Sequence, residues 1–360
     1  MAKPMQLLPL RSQLRSRLLF GKAIWLLLAA TCWSGGAYAD TSPIDPALPA
    51  YQPRPVAPSR DARYVLPDGA IRIVGADHAR FILERFNALF SQTHSGVQFN
   101  LDGLKGTTTG MPALTHDTTP FAPMGRGVNR VERVPYKKIV GREPLEIRIA
   151  HTATDSSKHL ATALAIYVNK ANPLAQLTTD QVKRIFTAGS PGGNLTRWGQ
   201  LGLSGEWANR LIRPYGTPEY TGFGSYMGQK HFDNQAYNVN YEQYGNTGAI
   251  LKRLSADPAG IAFAAIGKES ADVQQIAIAD REGGVYSKGS LEDIRNRRYP
   301  YDRFLYFYVR REPNKPIDPF IKEYFRLVFS REGQQIIASQ TDGYVPLNAQ
   351  EAAAELAKLD

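Results

Sequence analysis

The sequence predicts an α/β protein long enough for two domains. Short apolar runs such as IRIV from Ile71, LAIYV from Leu164 and IAFA from Ile261 alternate with stretches whose apolar residues recur every three to four positions. Glycine-rich turns separate them. The single cysteine among 360 residues, Cys32, falls near the beginning, so the fold must rest on an apolar core and not on disulfides.

Residues 1–39 read as a secretory signal. Lys3, Arg11, Arg15, Arg17 and Lys22 precede the apolar AIWLLLAATCW, and small residues follow in GGAYAD, which places cleavage after Ala39. The apolar run is far shorter than the ~20 residues of a membrane span, and Thr31 ahead of Cys32 makes a poor lipid-attachment site. A soluble periplasmic protein is expected. Removing the signal leaves 321 residues and takes five cations and no acid from a formal charge of +10, so the mature chain sits near +5. That surplus is spread out, with no arginine-rich block interleaved with stacking aromatics, which argues against nucleic acid as a partner.

Residues 40–69 hold seven prolines, which deny the backbone amide donors and helical angles, and read as an extended arm. IRIV is then a strand, and Ala79, Ile82, Leu83, Phe86, Leu89 and Phe90 form one face of a helix. VQFNL from Val97 is the next strand, and DGLKGTTTGMPAL leads from it through a glycine–threonine turn into another helix. This order implies a parallel sheet with helix amino ends gathered at one edge, where ligands of open α/β sheets bind. LAIYV is a buried strand. The helix in LTTDQVKRIFTAG opens with Thr178 and Gln181 in capping-box spacing, and NTGAILKRLSADPAG gives a further helix. IAFA, IAIA from Ile276 and RFLYFYV are strands, and DPFIKEYFRLVFSREGQQIIASQTDG gives two helical pieces broken at Ser330 and closed at Gly343.

Signals for catalysis are lacking. No G-x-S-x-G elbow, H-E-x-x-H pair or G-x-x-x-x-G-K-[ST] loop occurs, so no enzyme is expected and no cofactor. His151 and His159 flank Asp155 at a spacing that matches no familiar zinc pattern, and no metal is expected there. Tyr237, Tyr241 and Tyr244 are expected to line a surface helix or domain contact and not to stack on a ligand.

ALAIYVNKANPLAQLTTDQVKRIFTAG, NLTRWGQLG, GIAFAAIG and YPYDRFLYFYVRREPNKPIDPFIKEYFRLVFSREGQQIIASQTDGYVPL together resemble the phosphate-binding proteins of phosphate ABC importers, from about Ile71 to Leu347. The resemblance implies a type II periplasmic-binding-protein clamshell of two α/β lobes, with crossing strands near Ala165–Asn169 and Phe304–Val309. Residues 70–164 and 304–347 would form lobe 1, residues 165–303 lobe 2, and residues 348–360 a C-terminal helical tail. Such proteins hold a tetrahedral oxyanion at helix amino ends, where unpaired amides and the helix dipole favour negative charge. The family's three loops fall on Gly75, Ala76, Asp77 and His78; on Gly106, Thr107 and Thr108; and on Thr221, Gly222 and Phe223.

The family's proton-accepting aspartate aligns with Pro120, and its arginine with the neighbourhood of Thr217. Asp77 is a candidate replacement acceptor, and His78, Lys105 or Arg126 a replacement cation; Asp77 also suits the N-cap of the helix from Ala79, and Arg126 a pair with Glu132. The expected function is an exported, monomeric solute-binding protein that takes a small oxyanion, phosphate first, and hands it to an ABC permease or senses it. The alternative is an extracytoplasmic assembly protein that keeps the fold and has lost the ligand.

Overall fold

The computed structural model describes residues 44–360 apart from 154, 156–159, 341 and 342; the signal and His159 lie outside the described residues. Strands β1 (Ile71–Gly75) and β2 (Phe99–Leu104) pair in parallel, with helix α1 (Arg80–Thr93) in the connection that parallel neighbours need. Helix α2 (Gly110–Thr115), strand β3 (Phe121–Met124), helix α3 (Arg130–Val140) and strand β4 (Leu145–His151) follow. Strand β11 (Phe304–Val309) returns late in the chain to lie antiparallel between β3 and β4.

The second group of strands forms a six-stranded sheet. Its members are β5 (Leu164–Asn169), β6 (Gln176–Thr178), β7 (Arg213–Gly216), β8 (Glu242–Gln243), β9 (Gly260–Ala265) and β10 (Val273–Ala279), in the order β6-β10-β5-β9-β7-β8. Both β5 and β9 are buried along their whole length, which explains why they read as continuous apolar runs and not as alternating ones. Helix α4 (Thr179–Phe186) starts on the capping box legible in the sequence: Thr178 Oγ1 accepts from Gln181 N, and Gln181 Oε1 accepts from Thr178 N. Helices α5 (Gly222–Lys230), α6 (Thr247–Ser255) and α7 (Leu291–Arg295) complete this group.

Two passages join the two groups of strands, one ahead of β5 and one ahead of β11. Leu164 N donates to Tyr301 O, Thr152 N to Arg303 O, and Ala153 pairs with Thr162, so the chain crosses before β5 and again before β11. The apolar residues divide accordingly: one cluster centres on β5, β9 and Trp198, another on α1, β11 and the C-terminal helices.

Helices α8 (Pro319–Val328), α9 (Arg331–Ala338) and α10 (Ala349–Ala357) close the chain, with Ser330 capping α9 at the expected break. The proline-rich arm lies on them. Leu48 and Tyr64 are buried in the same cluster as α8, and the polar partners are specific. Tyr51 Oη and Arg54 N donate to the buried Glu323, Tyr51 N to Glu332, and Ser59 N and Tyr64 Oη to Asp318. A backbone that proline has made poor in helix and sheet partners is thus satisfied by carboxylates of its own chain. Among the described residues no helix is long and apolar enough to cross a membrane.

Candidate functional site: an anion cleft

A cleft of about 460 Å³ opens where the loops of both strand groups meet. His78 enters from the turn between β1 and α1, Thr107 from the glycine–threonine turn after β2, and Gly125 and Arg126 from the end of β3. Across from them stand Thr217, Thr221, Gly222 and Phe223 at the start of α5, and Asn246 and Thr247 at the start of α6. The passages contribute Thr162 and Arg303.

Local chemistry fixes these loops. Thr221 caps α5, its Oγ1 accepting from Gly224 N and donating to Pro218 O, and Asn246 caps α6 by accepting from Ala249 N. Tyr237 and Tyr241 stack with ring centroids 4.4 Å apart and donate to Gly224 O and Thr217 O. They brace the loop from behind and do not line the cleft. Gly125 donates to Thr107 Oγ1 at 3.4 Å, and its lack of a side chain leaves room for the His78 ring: a Cβ there would stand 2.4 Å from His78 Nε2 and would have to push the imidazole aside.

Of the residues expected to bind a ligand, His78, Thr107, Arg126, Thr221 and Gly222 line the cleft, whereas Ala76, Asp77, Gly106 and Thr108 do not. The reasons are physical. The Ala76 amide is spent on Pro123 O and the Gly106 amide on Gly75 O. Gly106 instead supplies the turn, at φ +122°. Asp77 leaves its side chain 69% exposed, and it does not cap: the short 3-10 turn begins at Asp77 itself, and the N-cap of α1 is Ala79, with no side-chain bond. Lys105 and Pro120 also stand off the cleft.

The charge on Arg126 is already answered. Its guanidinium makes a two-pronged pair with Glu132, both contacts at 2.7 Å, and a further bond to Gly127 O. The cation that sequence reasoning missed is Arg303, which is 3% exposed. Its Nη1 and Nη2 donate to Thr162 O and Gly125 O, both at 2.8 Å, and it lies against the rings of Phe223 and Tyr226. Its Nε is buried with no partner, and among the described residues no carboxylate forms an ion pair with it. Burial pushes its pKa down from the ordinary arginine value, yet that value starts so high that the group stays charged. The signal available in the sequence was the lone cation in YPYDRFLYFYV, directly ahead of an apolar strand.

His78 is the second unanswered group. Its Nε2 is buried without a partner, while Nδ1 faces Asp77 Oδ1 at 3.9 Å. Burial pushes its pKa down, Asp77 opposes that, and the charge on Arg303 reinforces it. The ring is neutral at neutral pH. No Asp or Glu is found among the described residues lining the cleft.

His151, by contrast, serves the scaffold. Its Nδ1 meets Asp302 at 2.6 Å and its Nε2 meets Glu351 at 3.3 Å, and Arg297 pairs with the far oxygen of Glu351. This cluster ties β4, the second passage and α10 together.

Residues 66–332 match the PBP superfamily domain. The phosphate-binding protein PstS of Pseudomonas aeruginosa is 31% identical over 320 residues, which span 88% of this chain and 92% of that protein. An ABC-type phosphate transport receptor from Vibrio cholerae shares the fold, with a TM-score of 0.50 at 18% identity over 76% of this chain and 98% of that one. PstS from Borrelia burgdorferi does so as well, at 0.50 and 14% over 78% and 99%. The chain therefore belongs to the PBP superfamily and, within it, to the family of the phosphate-binding protein PstS.

Proposed function

We propose that this protein is a periplasmic substrate-binding protein that takes up phosphate and presents it to an ABC permease. Arg303 is the observation that carries this reading. A guanidinium held out of water without a carboxylate is costly, and an anion entering the cleft supplies the missing counter-charge. Helix amino ends at Gly222 and Thr247 add converging amides and dipoles from the other side.

The mechanism in this reading is a shift of population. Residues 70–164 and 304–347 act as one lobe and residues 165–303 as the other, joined by the two passages, with the arm and the C-terminal tail as additions to the first. A ligand that touches Arg303, Thr107 and the start of α5 at once binds the closed form better than the open one, and the permease reads closure. The protein acts as a monomer and carries out no covalent chemistry. The assembly-protein alternative drew on the arm, and that arm is engaged by its own chain.

Titration calorimetry of the mature protein with inorganic phosphate, arsenate and sulfate tests the proposal. Saturable binding of phosphate, accompanied by a smaller radius of gyration in solution scattering, is expected. A protein that gives no heat with any of the three ions is not a phosphate carrier.

A further inference from the structure

We propose that the outer face of helix α3 docks the protein reversibly on a bilayer surface that carries anionic phospholipid. The inference concerns a convex surface outside the cleft and stands whatever the cleft holds.

Helix α3 is fastened from within and bare outside. Tyr136 and Val140 are buried, and Asn129 and Glu132 close a capping box at its start. Facing outward are Val131, Val134, Pro135 and Lys138, at the i, i+3, i+4, i+7 spacing of one helix stripe, with Ile139 at the edge. Val131 is 79% exposed, Val134 55% and Ile139 57%, three of the eight large apolar side chains exposed among the described residues. A fourth, Tyr220, lines one groove with Val131.

The charge around this stripe is mostly of one sign. Residues 130–143 carry five cations, Arg130, Arg133, Lys137, Lys138 and Arg142, against Glu132 and Glu143, a net +3 in a mature chain near +5. The surplus is thus less evenly spread than the whole-chain pattern suggests. Glu132 is spent on Arg126, and Glu143 on Arg133 and Lys137. Arg130, Lys138 and Arg142 form no ion pair among the described residues, and Glu219 is the acid that shares the groove with Arg130.

This pattern suits lipid better than a protein partner. A tight protein interface centres on large anchors seated in pockets, whereas the side chains here are short aliphatic groups on a convex helix. A bilayer asks for no pocket. Short apolar groups enter the headgroup boundary, while Lys and Arg lay their stems along the apolar surface and reach the lipid phosphates. Each cation near an anionic surface contributes about a fivefold gain in binding, and salt screens it.

Co-sedimentation of the mature protein with vesicles of phosphatidylglycerol and phosphatidylethanolamine, and with vesicles of phosphatidylcholine, tests the proposal. Wild type should bind the anionic vesicles at least about tenfold better than the neutral ones, and a rise in NaCl from about 50 to about 500 mM should weaken that binding about tenfold or more. The triple variant Arg130→Gln, Lys138→Gln, Arg142→Gln should bind about a hundredfold more weakly, and Val131→Ser, Val134→Ser, Ile139→Ser about tenfold more weakly, both at an unchanged melting temperature. A wild type that ignores anionic vesicles, or binds neutral ones equally, overturns the proposal. Full binding by either triple variant does so too, since another surface or bulk charge alone would then be responsible. Self-association that the serine variant abolishes, without vesicle binding, would assign the face to a second copy and also overturns it. With residues 1–39 removed no cysteine remains, so Val134→Cys can carry an environment-sensitive dye and report docking even if a triple variant fails to fold. Its emission should shift to the blue with anionic vesicles, and an unmoved spectrum overturns the proposal.

Discussion

At the scale of single residues, the site depends on which cations are already spent. Arg126 and Arg303 both line the cleft, but the Glu132 fork neutralises the first, whereas two backbone carbonyls and the rings of Phe223 and Tyr226 attend the second without cancelling its charge. Arg303→Met should therefore abolish most phosphate binding, about a hundredfold or more, because a charge-assisted contact is lost. Thr162 O and Gly125 O lose donors in that variant, offset by relief of the unpaired charge, so the ligand-free melting temperature should move little. Thermal shifts with and without phosphate check both statements; a variant that still gains stability from phosphate would remove Arg303 from the site. The pairing of Arg126 with Glu132 was legible, since the residues stand six apart across a helix start. Arg303 was not, because its burial depends on Phe223 and Tyr226, which reach it only through the tertiary fold.

At the scale of elements, local rules did most of the work. The Thr178 capping box, the Ser330 break and the fully apolar β5 and β9 follow from patterns that neighbouring residues settle among themselves. Asp77 shows where such rules stop: a helix that opens through a 3-10 turn moves its first residue, and a good capping side chain is left in solvent. The arm is the larger case. Its prolines announced an extended chain, but docking depends on Glu323 and Asp318, hundreds of residues away. Glu323→Ala should free the Tyr51 hydroxyl and the Arg54 amide at a cost of about 2 kcal/mol, with faster hydrogen exchange at the amide of Arg54 and little change at the cleft. Unchanged exchange there would mean that apolar burial at Leu48 and Tyr64 holds the arm alone. Thr221→Ala, which removes the cap of α5, should cost about 1 kcal/mol and weaken phosphate as well, measured by denaturation and calorimetry together.

For the molecule as a whole, the cluster around His151 sets a pH range. Burial alone would push His151 down, but hydrogen bonds to Asp302 and Glu351 outweigh it and hold the imidazole at about 9. Glu351 is also raised by burial, and the His151 and Asn348 contacts bring it down to about 2. Because the folded histidine pKa exceeds its ordinary 6.5, its contribution is complete below that value and fades as pH rises through about 9; the Glu351 contribution is complete above the ordinary 4.5 and fades as pH falls through about 2. Burial raises the Asp302 carboxyl, the other partner of His151, so its own contribution also falls as pH rises, and His151→Gln should flatten the alkaline decline of the melting temperature. A wild-type melting curve indifferent to pH from 6 to 10 would contradict this. The arm carries a different consequence, one of timing. Its partners lie 254 to 281 positions downstream, so a chain threaded amino end first emerges with its leading segment unable to settle until the very last helices arrive. Folding would thus end by fastening the arm to the late helices, so the leading segment stays pliable until the rest of the chain has taken shape.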